Sequence, residues 1–265
     1  MLERMIVEPG ATARLEERDP ADTLGLPGKE EGKKHLEDLL GELSDLQTRL
    51  YAESKRSVLL VLQGLDASGK DGTIRSVFTG VNPQGCRVTS FKAPSTLELA
   101  HDFLWRIHAA CPTRGEIGIF NRSHYEDVVT VRVRELAPEA VWRSRPERIR
   151  EFERLLTDEG TTVLKCFLQI SKEEQQERFD ERVHDPAKRW KYNPADLETR
   201  KLWSEFELAY GEAIAETSTE GAPWYIVPGD RNWVRNVAVA TILVETLRRL
   251  DPKYPEPRID VPAPG

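Results

Sequence analysis

The chain has 265 residues, 31% of them charged and 39% apolar, with a formal charge of −7. That length suits one large α/β domain with a sizeable core, and the acidic balance argues against binding nucleic acid or a membrane surface through net charge. No apolar run reaches the roughly 18 residues of a membrane span, and the opening "MLERMIVEPG" holds two acids and no long apolar stretch, so a cytoplasmic protein is expected.

The first 28 residues carry Pro9, Pro20 and Pro27 and little periodicity, which predicts an extended arm lying on the domain. From Lys29 to Lys55, Leu36, Leu39, Leu40, Leu43, Leu46 and Leu50 recur at three- and four-residue steps, the stripe of a helix with one buried face. Short apolar runs then alternate with helical patterns. Strands are predicted at Ser57–Gln63, Arg87–Lys92, Glu116–Phe120, Thr162–Ile170 and Trp224–Val227. Helices are predicted near 70–79, 96–110, 123–136, 146–159, 171–184, 195–217 and 232–250, with Ser95 or Thr96 and Ser171 as caps. Such alternation implies a five-stranded parallel sheet with helices on both faces, a three-layer α/β/α domain that binds ligands at the carboxyl ends of its strands. "VHDPAKRWKYNPAD", Val183–Asp196, is a loop between two helices, and the five-proline tail 251–265 is expected to be extended. No linker divides the chain, so residues 1–265 form one domain: arm and helix 1–56, core 57–250 with a lid at about 178–200, and tail. Cys86, Cys111 and Cys166 are odd in number and far apart. They read as buried thiols in a reducing compartment, not as a disulfide or metal framework.

"VLLVLQGLDASGKDGT", Val58–Thr73, has the frame of a phosphate-binding loop between strand and helix. Gly64 and Gly69 permit the tight turn, Ala67 and Ser68 present backbone amides, the following helix adds its positive end, and Lys70 supplies a point charge. Where such loops usually place a metal-binding Ser or Thr, this one has Asp71. An acid inside an anion cradle repels phosphate unless a cation lies between them. Asp66 is therefore read as a metal ligand or as the group orienting the attacking phosphate, against the plainer reading of an Asx-type turn former. Asp71 is read chiefly as a helix-start carboxylate, with Gly72 and Thr73 completing the phosphate-binding set. His124 is read as structural or as a wall of the pocket, since phosphate oxygens are already ionised and need no histidine base.

A second cluster, "EIGIFNRSHYEDV", ends a strand at Asn121, with Arg122 and Glu126 one helical turn apart and Asp127 placed as a second metal ligand. Surface charge at a helix start is the alternative. A third stretch, Glu177–Glu198, gathers Arg178, Arg182, Lys188, Arg189 and Lys191 with Trp190 and Tyr192. It reads either as a flap that clamps phosphates or as a solvated charged face.

Together "GLDASGKDGT", "IFNRSHYEDV" and "ERVHDPAKRWKYNPAD" resemble the family 2 polyphosphate kinases, from about Lys29 to Leu250. Asn121 with Glu126 and Asp127 is similar to the class III members, which phosphorylate both AMP and ADP. The resemblance implies a P-loop kinase fold related to thymidylate kinase. It also implies reversible, Mg²⁺-dependent transfer (Mn²⁺ as a substitute) from inorganic polyphosphate to adenine nucleotides, with guanine nucleotides as further acceptors. Carried over by position, Asp66, Lys70, Arg122, Asp127 and Arg182 are the catalytic set, and Asp66 and Asp127 bind the metal. Arg178 and the lid bases clamp phosphates, and a homodimer or homotetramer is implied, with Trp190 and the 36–50 leucine stripe as candidate contacts. Arg75, Lys92, Arg132 and Arg134 are candidates for the polyphosphate groove, against the plainer and favoured reading of each as a surface charge. An ATP-dependent nucleoside monophosphate kinase and a non-catalytic nucleotide-binding module are the competing readings.

Overall fold

The computed structural model describes residues 1–193 and 195–257. Pro194 and the tail from 258 onward, including the last two of its five prolines, lie outside the described residues. Six strands make one sheet: β1 (Ile6–Val7), β2 (Ser57–Gln63), β3 (Cys86–Ser90), β4 (Ile117–Asn121), β5 (Thr161–Gln169) and β6 (Trp224–Pro228), in the order β1-β6-β5-β2-β4-β3. β2 to β6 are mutually parallel, and β1 pairs antiparallel to β6 through Ile6–Tyr225 and Val7–Trp224. The expected five-stranded sheet is therefore six-stranded. Its sixth strand comes from the arm, where a two-residue segment is too short for an alternating pattern but long enough to cover an edge. The rest of the arm docks beside it, with Gln169 donating to the Leu15 carbonyl at 2.6 Å.

β2 sits at the centre of the sheet and is buried along all seven residues, which is why it reads as a continuous apolar run. Its period of two sorts it into two layers. Val58, Leu60 and Leu62 share a core with Leu43, Leu46 and Leu50 of the Lys29–Glu53 helix and with the apolar face of the Asn232–Leu250 helix. Leu59 and Val61 share the opposite core with Ile149 and Phe152 of the Arg145–Asp158 helix and with Phe206 and Ile214 of the Trp203–Thr217 helix. The leucine stripe is thus spent within the chain, where each fully buried leucine contributes about 1.5–3 kcal/mol. Among the described residues no helix is long and apolar enough to cross a membrane, and the three cysteines are unpaired.

Three predicted helices divide, the first being the 96–110 pattern, which becomes Thr96–Leu99 and Trp105–Ala110. The 195–217 pattern breaks at Leu202 into Ala195–Lys201 and Trp203–Thr217, and the 123–136 pattern becomes a 3-10 turn, His124–Asp127, followed by Val129–Val133. The breaks in the 123–136 and 195–217 patterns are flanked by Glu126 and Thr130 and by Thr199 and Phe206, which line a cavity at the carboxyl ends of β2 and β4, where the packing of the site sets the backbone direction.

Candidate active site

The loop leaves β2 through Gly64 (φ 144°), Ala67 (φ 65°) and Gly69 (φ 96°), and enters the Lys70–Val77 helix. Ala67 pays a steric cost at positive φ that glycine avoids, the kind of backbone strain that collects at functional sites. A Cβ on Gly64 would come within 2.6 Å of the Leu168 carbonyl oxygen, so that position admits only glycine. Lys70 is 8% exposed, and its Nζ donates to the Gly64 and Leu65 carbonyls at 2.7 and 3.2 Å. Burial, aided by the nearby Arg122 guanidinium, lowers its pKa to about 8.

Arg122 follows β4 and has the left-handed φ of 63°. Its backbone N–H donates to Leu62 O at 3.0 Å while Nη2 donates to Asp66 Oδ1 at 2.6 Å, and Glu126 lies 3.6 Å from Nη1. The strained turn thus joins the loop's acid to the adjacent strand end. Asn121, one residue earlier, donates to Asp71 Oδ1 at 2.7 Å, and Lys191 of the lid lies 3.7 Å from Asp71 Oδ2. Asp71 therefore ties the loop's helix to the sheet rim and the lid, a connection that its helix-start position did not reveal.

The lid helix, Lys172–His184, begins with Ser171 accepting from the Glu174 N–H and is stapled to the loop at its base. Gln175 donates to the Asp66 carbonyl at 2.8 Å, and Arg178 donates to the Ala67 carbonyl at 2.8 Å and to Glu174 at 2.7 Å. Farther out, Arg182 packs over Phe179, and Lys188 pairs with Glu181 and approaches Asp185. Arg189 donates to the Val183 carbonyl.

These elements enclose a cavity of about 1190 Å³ lined by nine lysines and arginines and only four acids. A cationic cleft in a chain of net charge −7 marks it as an anion site. Loop residues Asp66 to Gly72 line it, as do Asn121, Arg122, Arg178, Arg182, Lys188 and Lys191, joined by Arg75 and Lys92. A smaller cavity of about 40 Å³ lies between Gly64, Asp66, Arg122 and Glu126 on one side and Arg134 and Tyr210 on the other. Arg189 and Thr73 line neither, and Arg132 pairs with Glu212 instead.

Asp127 also lines neither cavity. It lies 3.7 and 3.8 Å from Arg145 and Arg106, and burial raises its pKa against the pull of those two arginines. Its Oδ2 has no hydrogen-bond partner among the described residues. Among those residues no three His, Cys, Asp or Glu side chains gather as a metal cage. His124 is fully buried against Glu153. Missed from the sequence were Asn232, Arg235 and Asn236, which line the large cavity from the last helix. The signal was present in "NWVRN", a polar start to an otherwise apolar helix.

Residues 27–255 match the sequence profile of the family described as Polyphosphate kinase 2. The AMP/ADP-polyphosphate phosphotransferase of Meiothermus ruber is 54% identical over 252 residues, covering 95% of this chain and 94% of the relative. An ADP-polyphosphate phosphotransferase from Rhodopseudomonas palustris is 46% identical over 242 residues, covering 85% and 84%. The crystal structure of Polyphosphate Kinase 2 from Arthrobacter aurescens TC1 superposes with a TM-score of 0.94 at 40% identity, covering 98% of this chain and 93% of that one. With match, fold and phosphate loop in agreement, the chain belongs to the polyphosphate kinase 2 family.

Proposed function

We propose that the chain moves the terminal phosphoryl group of inorganic polyphosphate to AMP and ADP, forming ADP and ATP, in a reversible reaction. The observation that carries this reading is the large cationic cavity over the loop. Polyphosphate offers no base or sugar to recognise, so amides, lysines and arginines arranged as a groove are what its binding requires. An oxygen of the acceptor's terminal phosphate attacks the terminal phosphorus of the donor, the bridging P–O bond to the next phosphate breaks, and shortened polyphosphate leaves. The attacking oxygen is already ionised, so no base is needed. Loop amides and Lys70 hold the transferred group, Arg122 and Asp66 align the acceptor between the two cavities, and Arg178, Arg182, Lys188 and Lys191 neutralise charge and exclude water.

The donors fit a hard divalent cation shared with substrate. Mg²⁺ is commonly held by one or two carboxylates plus phosphate oxygens rather than by a protein cage, which suits Asp66 at the cavity wall. Asp127, with its unbonded Oδ2, is the second carboxylate, although Arg106 and Arg145 compete for it. The cation would neutralise phosphate charge and remove the repulsion between Asp66 and the substrates. The family's acceptor range, a homo-oligomeric state and a cytoplasmic location belong to the same reading.

The test supplies AMP, polyphosphate and Mg²⁺ without ATP and follows ADP and ATP by chromatography. Both should form. Turnover with ATP as donor but none with polyphosphate would overturn the reading in favour of a nucleoside monophosphate kinase, and nucleotide binding without either activity would favour a binding module.

A further inference from the structure

Arg235 stands four positions into the Asn232–Leu250 helix, only 3% exposed. Its hydrogen-bond partners are all neutral: Asn232 Oδ1 at 2.8 Å, Ser68 O at 3.3 Å and Asn236 Oδ1 at 3.3 Å. Its buried Nε has no partner, and no carboxylate pairs with it among the described residues. Of the charges that act on it, the Arg178 cation outweighs the Glu174 carboxylate, which is hydrogen-bonded to Arg178 rather than to Arg235. A guanidinium carries five donors and stays charged, and a buried charge without a counter-ion is unfavourable.

The loop makes room for this group. A Cβ on Gly69 would fall 2.0 Å from Arg235 Nη1, and one on Gly72 would touch Nη2 at 3.4 Å. Gly69 is thus required by its positive φ and again by the arginine behind it. Asn232, Arg235 and Asn236 all face the large cavity, and no side chain caps the start of their helix. Arg122 beside Asp66 and Arg235 beside Ser68–Gly72 thus stand toward opposite ends of the loop, with Arg178 on the Ala67 carbonyl between them.

We infer that Arg235, with Asn232 and Asn236, forms a donor subsite that binds phosphates of inorganic polyphosphate next to the one being transferred, the anion serving as the guanidinium's counter-charge. This rests on the donor reading above. It separates donor from acceptor: the Arg235 end of the loop selects polyphosphate, and the Arg122 end serves the nucleotide. A role confined to bracing the loop makes a different prediction, because a brace is needed whether or not an anion is bound.

The experiment compares the wild type with Arg235→Met and Arg235→Lys. Thermal melting is measured with and without inorganic polyphosphate alone, and KM for polyphosphate and for AMP is measured separately. With the buried charge removed, Arg235→Met should melt at or above the wild-type temperature without polyphosphate. The rise in Tm on adding polyphosphate should fall to less than half. KM for polyphosphate should rise about tenfold or more, the loss of one charge-assisted contact, with KM for AMP within twofold, and Arg235→Lys should recover part of the loss. A lower Tm with an undiminished polyphosphate shift, or an equal rise in both KM values, would overturn the subsite in favour of a brace. Should Arg235→Met not fold, Arg235→Gln carries the same measurements. A wild-type protein that neither uses polyphosphate nor is stabilised by it would instead remove the donor reading, and the subsite with it.

Discussion

The phosphate loop hangs from a strand whose seven residues are all buried, whereas the lid's Arg189–Lys191 turn leaves Trp190 77% exposed. Both regions present cations to one cavity, but they satisfy those cations differently. Lys70 is held by backbone carbonyls of its own loop, and Arg178 at the base of the lid reaches the loop backbone. Lys188, farther out, pairs with acids of the lid itself. Loop cations are fixed by covalent geometry and packing, so they set where phosphorus sits. Outer lid cations exchange one carboxylate for another at little cost, since solvent screens such pairs. A phosphate can therefore recruit them after it has bound. Precision belongs to the sheet end, and enclosure to the lid.

Removing the loop's charge should have the largest effect. Lys70→Ala should lower kcat by about 10³ or more, the scale expected for a fixed donor aimed at developing charge, while its melting temperature stays within a few degrees of the wild type. Single-turnover kinetics and calorimetry check the two halves. Since burial lowers the Lys70 pKa to about 8, its charge is present below that pH and lost above it, so kcat/KM should show an alkaline limb near pH 8. The sign for stability is the reverse. Between pH 8 and the ordinary lysine range the unfolded chain binds the extra proton, so the cost of burying Lys70 is relieved as pH rises through that window.

A smaller effect is expected from the lid. Arg182→Ala should slow kcat by about 10² to 10³, at or below the lower end of what a fixed transition-state arginine is worth, because neighbouring lid cations share its task. A loss as large as that of Lys70→Ala would show that the lid positions as rigidly as the loop. The smallest effect tests the tie between the two regions. Asn121→Asp replaces the amide that donates to Asp71 with a second carboxylate. KM for polyphosphate should rise less than tenfold, kcat should be nearly kept, and the requirement for divalent cation should steepen. An unchanged KM and cation requirement would mean that the Asn121–Asp71–Lys191 tie does not bear on closure.

Where the local pattern was strong, the sequence was legible. β2 and the 232–250 helix lie where their apolar runs predict, because burial on one or both faces dictates period and length. The loop was legible because glycine, lysine and a preceding strand form a contiguous signature. Arg235 was not, because its significance comes from Gly69 and Arg178, distant in sequence and adjacent in space. Asp71 was undervalued for the same reason: its partners stand 50 and 120 positions away. β1 was missed because edge pairing is decided by the strand it meets rather than by its own two residues.

The three-layer order, the phosphate loop and the family are written in contiguous residues whose periodicity or turn chemistry acts locally. Which charges share a cavity is set by the folded chain. It brought Asp66 to Arg122 and Arg235 to the loop, turned Asp127 toward Arg106 and Arg145, and linked Asp71 to the lid. Electrostatic pairing depends on distance through space and on burial, and chain separation encodes neither.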